Sequence, residues 1–128
     1  MMSSTKLPIL PAALVITFSG TAIAAMYDGT YHGTLTGDSG NAPVCAKQAS
    51  VQMTVADGKV DYNHMGHAKI IASVGADGSF SGSAQNVYSV SRTGPQVQTL
   101  DGKIAGGAIQ AQTKVGGCSY RLELKKYN

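Results

Sequence analysis

The stretch Gly116–Lys126, GGCSYRLELKK, decides the fold. From Cys118 onward it alternates. Cys118, Tyr120, Leu122 and Leu124 fall on one side, and Ser119, Arg121, Glu123 and Lys125 on the other. Successive side chains of a strand point to opposite faces, so this is a β-strand with one buried and one wet face. Gly116-Gly117 reads as the turn before it. A two-residue turn there sets Thr113 against Tyr120, Ala111 against Leu122 and Ile109 against Leu124, all on one face. Cys118 opens the strand, and the other cysteine, Cys45, lies near the start of the chain's main body. The inference is a last strand that closes a sheet and is stapled back to its beginning.

Working outward, one short motif recurs: Asp-Gly, any residue, then an apolar residue. It stands at Asp28–Tyr31, Asp57–Val60, Asp77–Phe80 and Asp101–Ile104. Asp-Gly between alternating segments is a strong hairpin signal, because Gly accepts positive φ and Asp tolerates it. The irregular spacing indicates a meander of hairpins rather than a solenoid. A two-residue turn at Asp57-Gly58 would oppose Val55 to Val60, Met53 to Tyr62 and Val51 to His64. At Asp77 the parity asks for a three-residue loop Ala76-Asp77-Gly78, pairing Val74 with Phe80 and Ala72 with Gly82. Asp101-Gly102 gives no clean register, and Gly106-Gly107 suggests a bulge or a tight corner.

Strands are expected near 29–36, 50–56, 59–64, 68–74, 79–87, 88–92, 96–100, 103–106, 108–114 and 118–126. Some of these merge, for a total of eight to ten. Gly37–Gln48, with Pro43, is a loop carrying Cys45, and Arg92–Pro95 is another turn. No stretch after residue 24 has helical periodicity. The expected fold is therefore all-β, a single-domain antiparallel meander closing into a small barrel, with a β-sandwich as the alternative. An outer-membrane barrel is disfavoured, since the outward positions are Ser, Thr, Gln and Lys instead of an apolar band.

Residues 1–24 read as a signal peptide. Lys6 is the sole charge, Leu7–Phe18 is an apolar run of about 12 residues, too short to span a membrane, and Ala22-Ile23-Ala24 offers small residues at a cleavage site. The all-β domain is then 25–128, periplasmic or secreted and expected to be a monomer. Removing Lys6 lowers the formal net charge from +3 to +2. That is too weak a balance to imply nucleic acid or an anionic membrane as partner. Two cysteines in an exported chain favour a disulfide between Cys45 and Cys118, and no CxxC spacing points to redox or metal chemistry. The bridge would close about 74 residues and contribute roughly 4 kcal/mol by chain entropy. The core is otherwise thin in aromatics: no Trp, and Phe80 alone among phenylalanines beyond residue 18.

The pattern Asp-Gly-Thr-Tyr-x-Gly (Asp28–Gly33), Asp-Gly-Ser-Phe-Ser-Gly (Asp77–Gly82), Gly-Lys-Ile-x-Gly-Gly-x-Ile (Gly102–Ile109) and Cys-x-Tyr-x-Leu-x-Leu (Cys118–Leu124) resembles small uncharacterised exported β-rich proteins of Gram-negative bacteria. The resemblance covers most of the chain beyond the signal. It implies fold and compartment, and no activity.

Chemistry-bearing residues are few. His64-Met65-Gly66-His67 unites imidazole and thioether, ligand types suited to copper. A two-residue turn would oppose the two histidines, whereas a three-residue loop, which parity prefers, makes them diverge and leaves an exposed polar tip. His32 falls on the polar side of the first strand. Asp38, Asp61 and Glu123 are the carboxylates left over from turns, and no spacing pairs them for acid–base work. No serine sits in a Gly-x-Ser-x-Gly elbow, and Gly78–Ser83 precedes no helix that could make it a phosphate loop. A non-enzymatic binding module without cofactor is therefore expected, its partner an envelope protein or a small ligand. Unfilled room inside a barrel would be a pocket lined by Tyr62, Tyr88 and Tyr120 with Arg92 or Arg121 at its mouth. The competing expectation is that Tyr31, Tyr62, Tyr88 and Tyr120 fill that room themselves. Copper binding and an unrecognised hydrolase are the alternatives.

Overall fold

The computed structural model describes residues 25–64, 68–87 and 96–127. The expected signal peptide, residues 1–24, lies outside them. Among the described residues eight strands follow one another: β1 Gly29–Gly37, β2 Gln48–Ala56, β3 Lys59–His64, β4 Ala68–Ser73, β5 Ser79–Val87, β6 Gln96–Ala105, β7 Ala108–Val115 and β8 Cys118–Lys126. All belong to one antiparallel sheet in the order β4-β3-β2-β1-β8-β7-β6-β5. β1 pairs with both β2 and β8, so the first strand lies at the middle of the sheet. The outer strands β4 and β5 meet at the Val74–Phe80 bridge and where Gly82 packs on Ile70 and Ala72, giving a nearly closed barrel rather than a sandwich.

The closing strand has the anticipated register. Thr113 lies opposite Tyr120, Ala111 opposite Leu122 and Ile109 opposite Leu124. Tyr120, Leu122 and Leu124 point into the barrel with Tyr31, Leu35, Met53, Val55, Val60, Tyr62, Ile70, Leu100, Ile104 and Ile109, all at most 5% exposed. Burying each of these large side chains is worth roughly 1.5–3 kcal/mol. Small residues give the large ones room. A Cβ on Gly82 of β5 would stand 2.9 Å from Ile70 Cγ2 and 3.1 Å from Ala72 Cβ of β4.

Turn chemistry follows the motif in part. At 57–58 both central residues have positive φ, Asp57 at 52° and Gly58 at 74°, the geometry that matches strand twist. Ala76-Asp77-Gly78 is the expected three-residue loop, with Gly78 at φ 89° and Val74 bridged to Phe80. Two of the four Asp-Gly pairs are not turns. Asp28-Gly29 leads into β1, where the Asp28 carboxylate accepts the N–H groups of Asp57 (3.0 Å) and Gly58 (3.2 Å). Asp101-Gly102 lies inside β6, which merges the expected strands 96–100 and 103–106. Gly102 occupies an inward position opposite Phe80 and Ala111, where its missing side chain lets the strands approach. Gly106-Gly107 is a plain two-residue turn that leaves Ile104 opposite Ile109. The bulge lies instead in β5, between Ala84 and Val87. The expected strand at 88–92 falls outside the described residues.

The loop 38–47 is fastened to the start of β8. Cys45 and Cys118 form the disulfide, with Cα atoms 5.7 Å apart. Beside it, Asn41 Nδ2 donates to the Ser119 carbonyl and Ser119 N–H donates to Asn41 Oδ1.

Candidate functional site

Two ladders of the barrel stop short, and both flank the β3–β4 hairpin. The β2/β3 ladder ends after Ala56–Lys59, Val55–Val60 and Thr54–Asp61. Met53–Tyr62 and Val51–His64, expected to continue it, are not paired. On the other side, β4 and β5 share, among the described residues, one bridge, Val74–Phe80 at their base, above which Gly82 packs on Ile70 and Ala72. The hairpin itself is fully zipped, from Lys59–Ser73 to His64–Ala68.

Two backbone hydrogen bonds fix which groups face the gap between β2 and β3. Gly37 N–H donates to Lys47 O at 2.8 Å, so odd-numbered residues of β2 turn their N–H and C=O toward β1. Val74 N–H donates to Gly58 O at 2.8 Å, so even-numbered residues of β3 face β4. The N–H and C=O of Ser50 and Gln52, and those of Asn63, are therefore directed into the β2/β3 gap. They have no ladder partner there among the described residues. A recess of ≈ 380 Å³ occupies this position, reaching inward to Leu35 and lined by Ser50, Gln52, Thr54, Asp61 and Asn63. A second recess, ≈ 310 Å³, continues over the outer side of β2 between His32 and Gln52.

The lining is amide and hydroxyl with one carboxylate. Asp61 reaches Lys69 Nζ at 3.4 Å, an exposed ion pair worth little in stability. At the far end, the His32 ring stacks on Tyr127, with centroids 4.6 Å apart and planes 4° from parallel. Tyr127 is held there by its N–H bond to Thr30 O.

The residues singled out from sequence do not form one cluster. Tyr62 and Tyr120 both point into the barrel, 0% and 5% exposed. Burial, and secondarily the nearby Tyr120, pushes the Tyr62 hydroxyl well above the usual phenol range. Arg121 is on the outer face of β8, beside a shallow recess shared with Asp101, Gln112 and Glu123. Tyr88, Arg92, Met65 and His67 lie outside the described residues. His64 pairs with Ala68 at the far end of the β3–β4 hairpin. No group of three His, Cys, Asp or Glu side chains lies close enough to hold a metal among the described residues. Asp38, Asp61 and Glu123 belong to a loop and to two strands on opposite sides of β1 and β2.

Sequence reasoning missed Gln98. It is fully buried, donates through Nε2 to Thr113 Oγ1 at 3.0 Å, and Thr113 in turn donates to Thr99 O at 2.8 Å. Gln98 Oε1 has no hydrogen-bond partner among the described residues. The parity of Leu100 within the same strand was the signal that could have found it. Comparison with known proteins gave no relatives: no family model, no curated protein and no solved structure matches this chain.

Proposed function

We propose that this chain is an exported, non-enzymatic binding module whose partner meets the wall formed by β2 and the β3–β4 hairpin. One observation carries the reading. A barrel whose inside is occupied by its own large side chains has a wall that stops hydrogen-bonding partway, leaving strand backbone at the floor of a recess. Uncovered strand edges are normally blunted or paired, because they recruit other chains. The lining of this recess is mostly hydroxyl and amide, and its one carboxylate, Asp61, is paired with Lys69, so little charge opposes an approaching partner. The disulfide supports an oxidising compartment. Tyr62 and Tyr120 within the core favour a protein partner at the wall over a small ligand inside the barrel.

The test is a photo-reactive benzoylphenylalanine at position 52, with position 110 on the distant β7 as control, in the exported chain under irradiation in its own cell. A covalent adduct from position 52 alone is expected. Adducts from neither position, or equally from both, would sink the proposal.

A further inference from the structure

We infer that the occupant of the β2/β3 recess is an extended peptide that adds to the free edge of β2 as a strand; this rests on the reading of that wall as the binding surface. The chemistry on offer is main-chain chemistry. Ser50 and Gln52 each direct one donor and one acceptor into the gap, about 7 Å apart along the strand. Gln48 has the same parity, so the edge from Gln48 to Gln52 repeats the pattern over about 13 Å. A row of paired donors and acceptors at two-residue intervals is the complement of another strand backbone, and of little else.

Three further features fit a strand. The edge is held straight from behind, since β2 pairs with β1 along Thr36–Gln48 through Gly29–Val55. The far wall of the recess, β3, is laddered to β2 only from Thr54–Asp61 to Ala56–Lys59, so Asn63 turns its own N–H and C=O toward the gap from the opposite side. The outward side chains along the edge, Ser50, Gln52 and Thr54, are short or uncharged, so they select for shape and backbone more than for charge. Specificity comes from the side chains of the incoming strand that alternate toward Leu35 on the inside and toward His32 on the outside.

Random octapeptides displayed on phage and panned against the folded, oxidised chain supply the probe. Peptides enriched on the chain should bind Gln52→Ala within about threefold of the parent, because the side chain is not the contact. Gln52→Pro should weaken them at least about tenfold, the equivalent of one lost hydrogen bond plus the steric bar of the ring. Proline at 52 removes only an edge-facing N–H and leaves the β1 ladder intact, so this variant folds, whereas Val51→Pro does not. The same bond is tested from the partner's side on the unmutated chain. Peptide N-methylated on the alternate amides facing β2 loses binding, and peptide methylated on the other set keeps it. Hydrogen exchange at Ser50 and Gln52 slows when peptide is bound. Equal tolerance of both methylated peptides, equal loss in Gln52→Ala and Gln52→Pro, or no peptide enriched above an unrelated disulfide-bonded domain each overturns the inference. If no peptide is enriched while position 52 still cross-links in the cell, the strand inference falls and the binding wall stands; loss of the cross-link as well removes both.

Discussion

The carboxamide of Asn41 stands in for a strand edge against Ser119. It gives its Nδ2–H to the Ser119 carbonyl at 2.7 Å and takes the Ser119 N–H on Oδ1 at 3.0 Å. Asp38 N–H donates to the same carbonyl at 3.0 Å. A loop that would otherwise leave the first residues of β8 half-paired thus completes their hydrogen bonding one residue away from the disulfide.

Asn41→Ala removes both bonds from a partly buried position and should cost about 1–3 kcal/mol in urea unfolding of the oxidised protein. Breaking the disulfide with Cys45→Ala and Cys118→Ala should cost about 4 kcal/mol. The two fastenings hold the same loop to the same strand, so the combined loss should fall short of the sum. Strict additivity would mean that the loop docks independently of the bridge.

Gln98 offers a sharper contrast. Its Oε1 is buried without a partner among the described residues, and the bond from Thr113 to Thr99 O does not involve position 98. Gln98→Met should therefore be neutral or stabilise by about 1 kcal/mol. Gln98→Glu places a carboxylate in the same space and should destabilise by more than about 3 kcal/mol. Chemical denaturation of the two variants measures both. A clear loss in Gln98→Met would reveal a donor to Oε1 in the folded protein.

Two turn glycines with nearly the same φ should respond differently to alanine. Gly78 has φ 89°, and a Cβ there would strike the Ile104 carbonyl, whose own N–H bonds to Gly78 O at 2.9 Å. Gly117 has φ 86° and open space around it. Gly117→Ala should cost only the left-handed conformational penalty, roughly 1–2 kcal/mol. Gly78→Ala adds a collision with backbone that cannot give way, and should cost at least about 3 kcal/mol or prevent folding. Equal thermal shifts in the two variants would refute the steric account.

Stability should fall in alkali. The Tyr62 hydroxyl, and to a smaller degree that of Tyr31, is held in its protonated form by burial, with Tyr120 and Asp28 respectively adding to the effect. A pKa raised on folding means that above the ordinary value of 10.0 the unfolded chain loses its proton first. The contribution is complete below pH 10 and is lost as pH rises past it. Tyr62→Phe should flatten that decline in denaturation midpoints between about pH 10 and 11.5. An unchanged slope would show that Tyr62 is ionised as easily folded as unfolded.

Much of the barrel was legible from local parity. The Thr113–Tyr120, Ala111–Leu122 and Ile109–Leu124 register needs only a two-residue turn and a period of two. The 76–78 loop needs only that Val74 and Phe80 share a face. Asp101-Gly102 misled because its dipeptide has the chemistry of a turn, while Phe80 and Ala111 from neighbouring strands require a residue without a side chain there. Of the candidate site, nothing was visible. Ser50, Gln52 and Asn63 are unremarkable polar strand residues until their backbones are seen to lack a neighbour.

The sequence by itself determined the class of fold, the hairpin order, most of the register and the pairing of Cys45 with Cys118. Each follows from alternation, turn stereochemistry or a count of two thiols, all properties of near neighbours or of composition. Whether two adjacent strands stay zipped was decided only by the tertiary structure. Local alternation is the same in a strand that keeps its neighbour and in one that does not. Where the β2/β3 ladder ends depends on how sheet twist and the packing of inward residues from distant strands, among them Tyr62, Ile70 and Leu35, are met together.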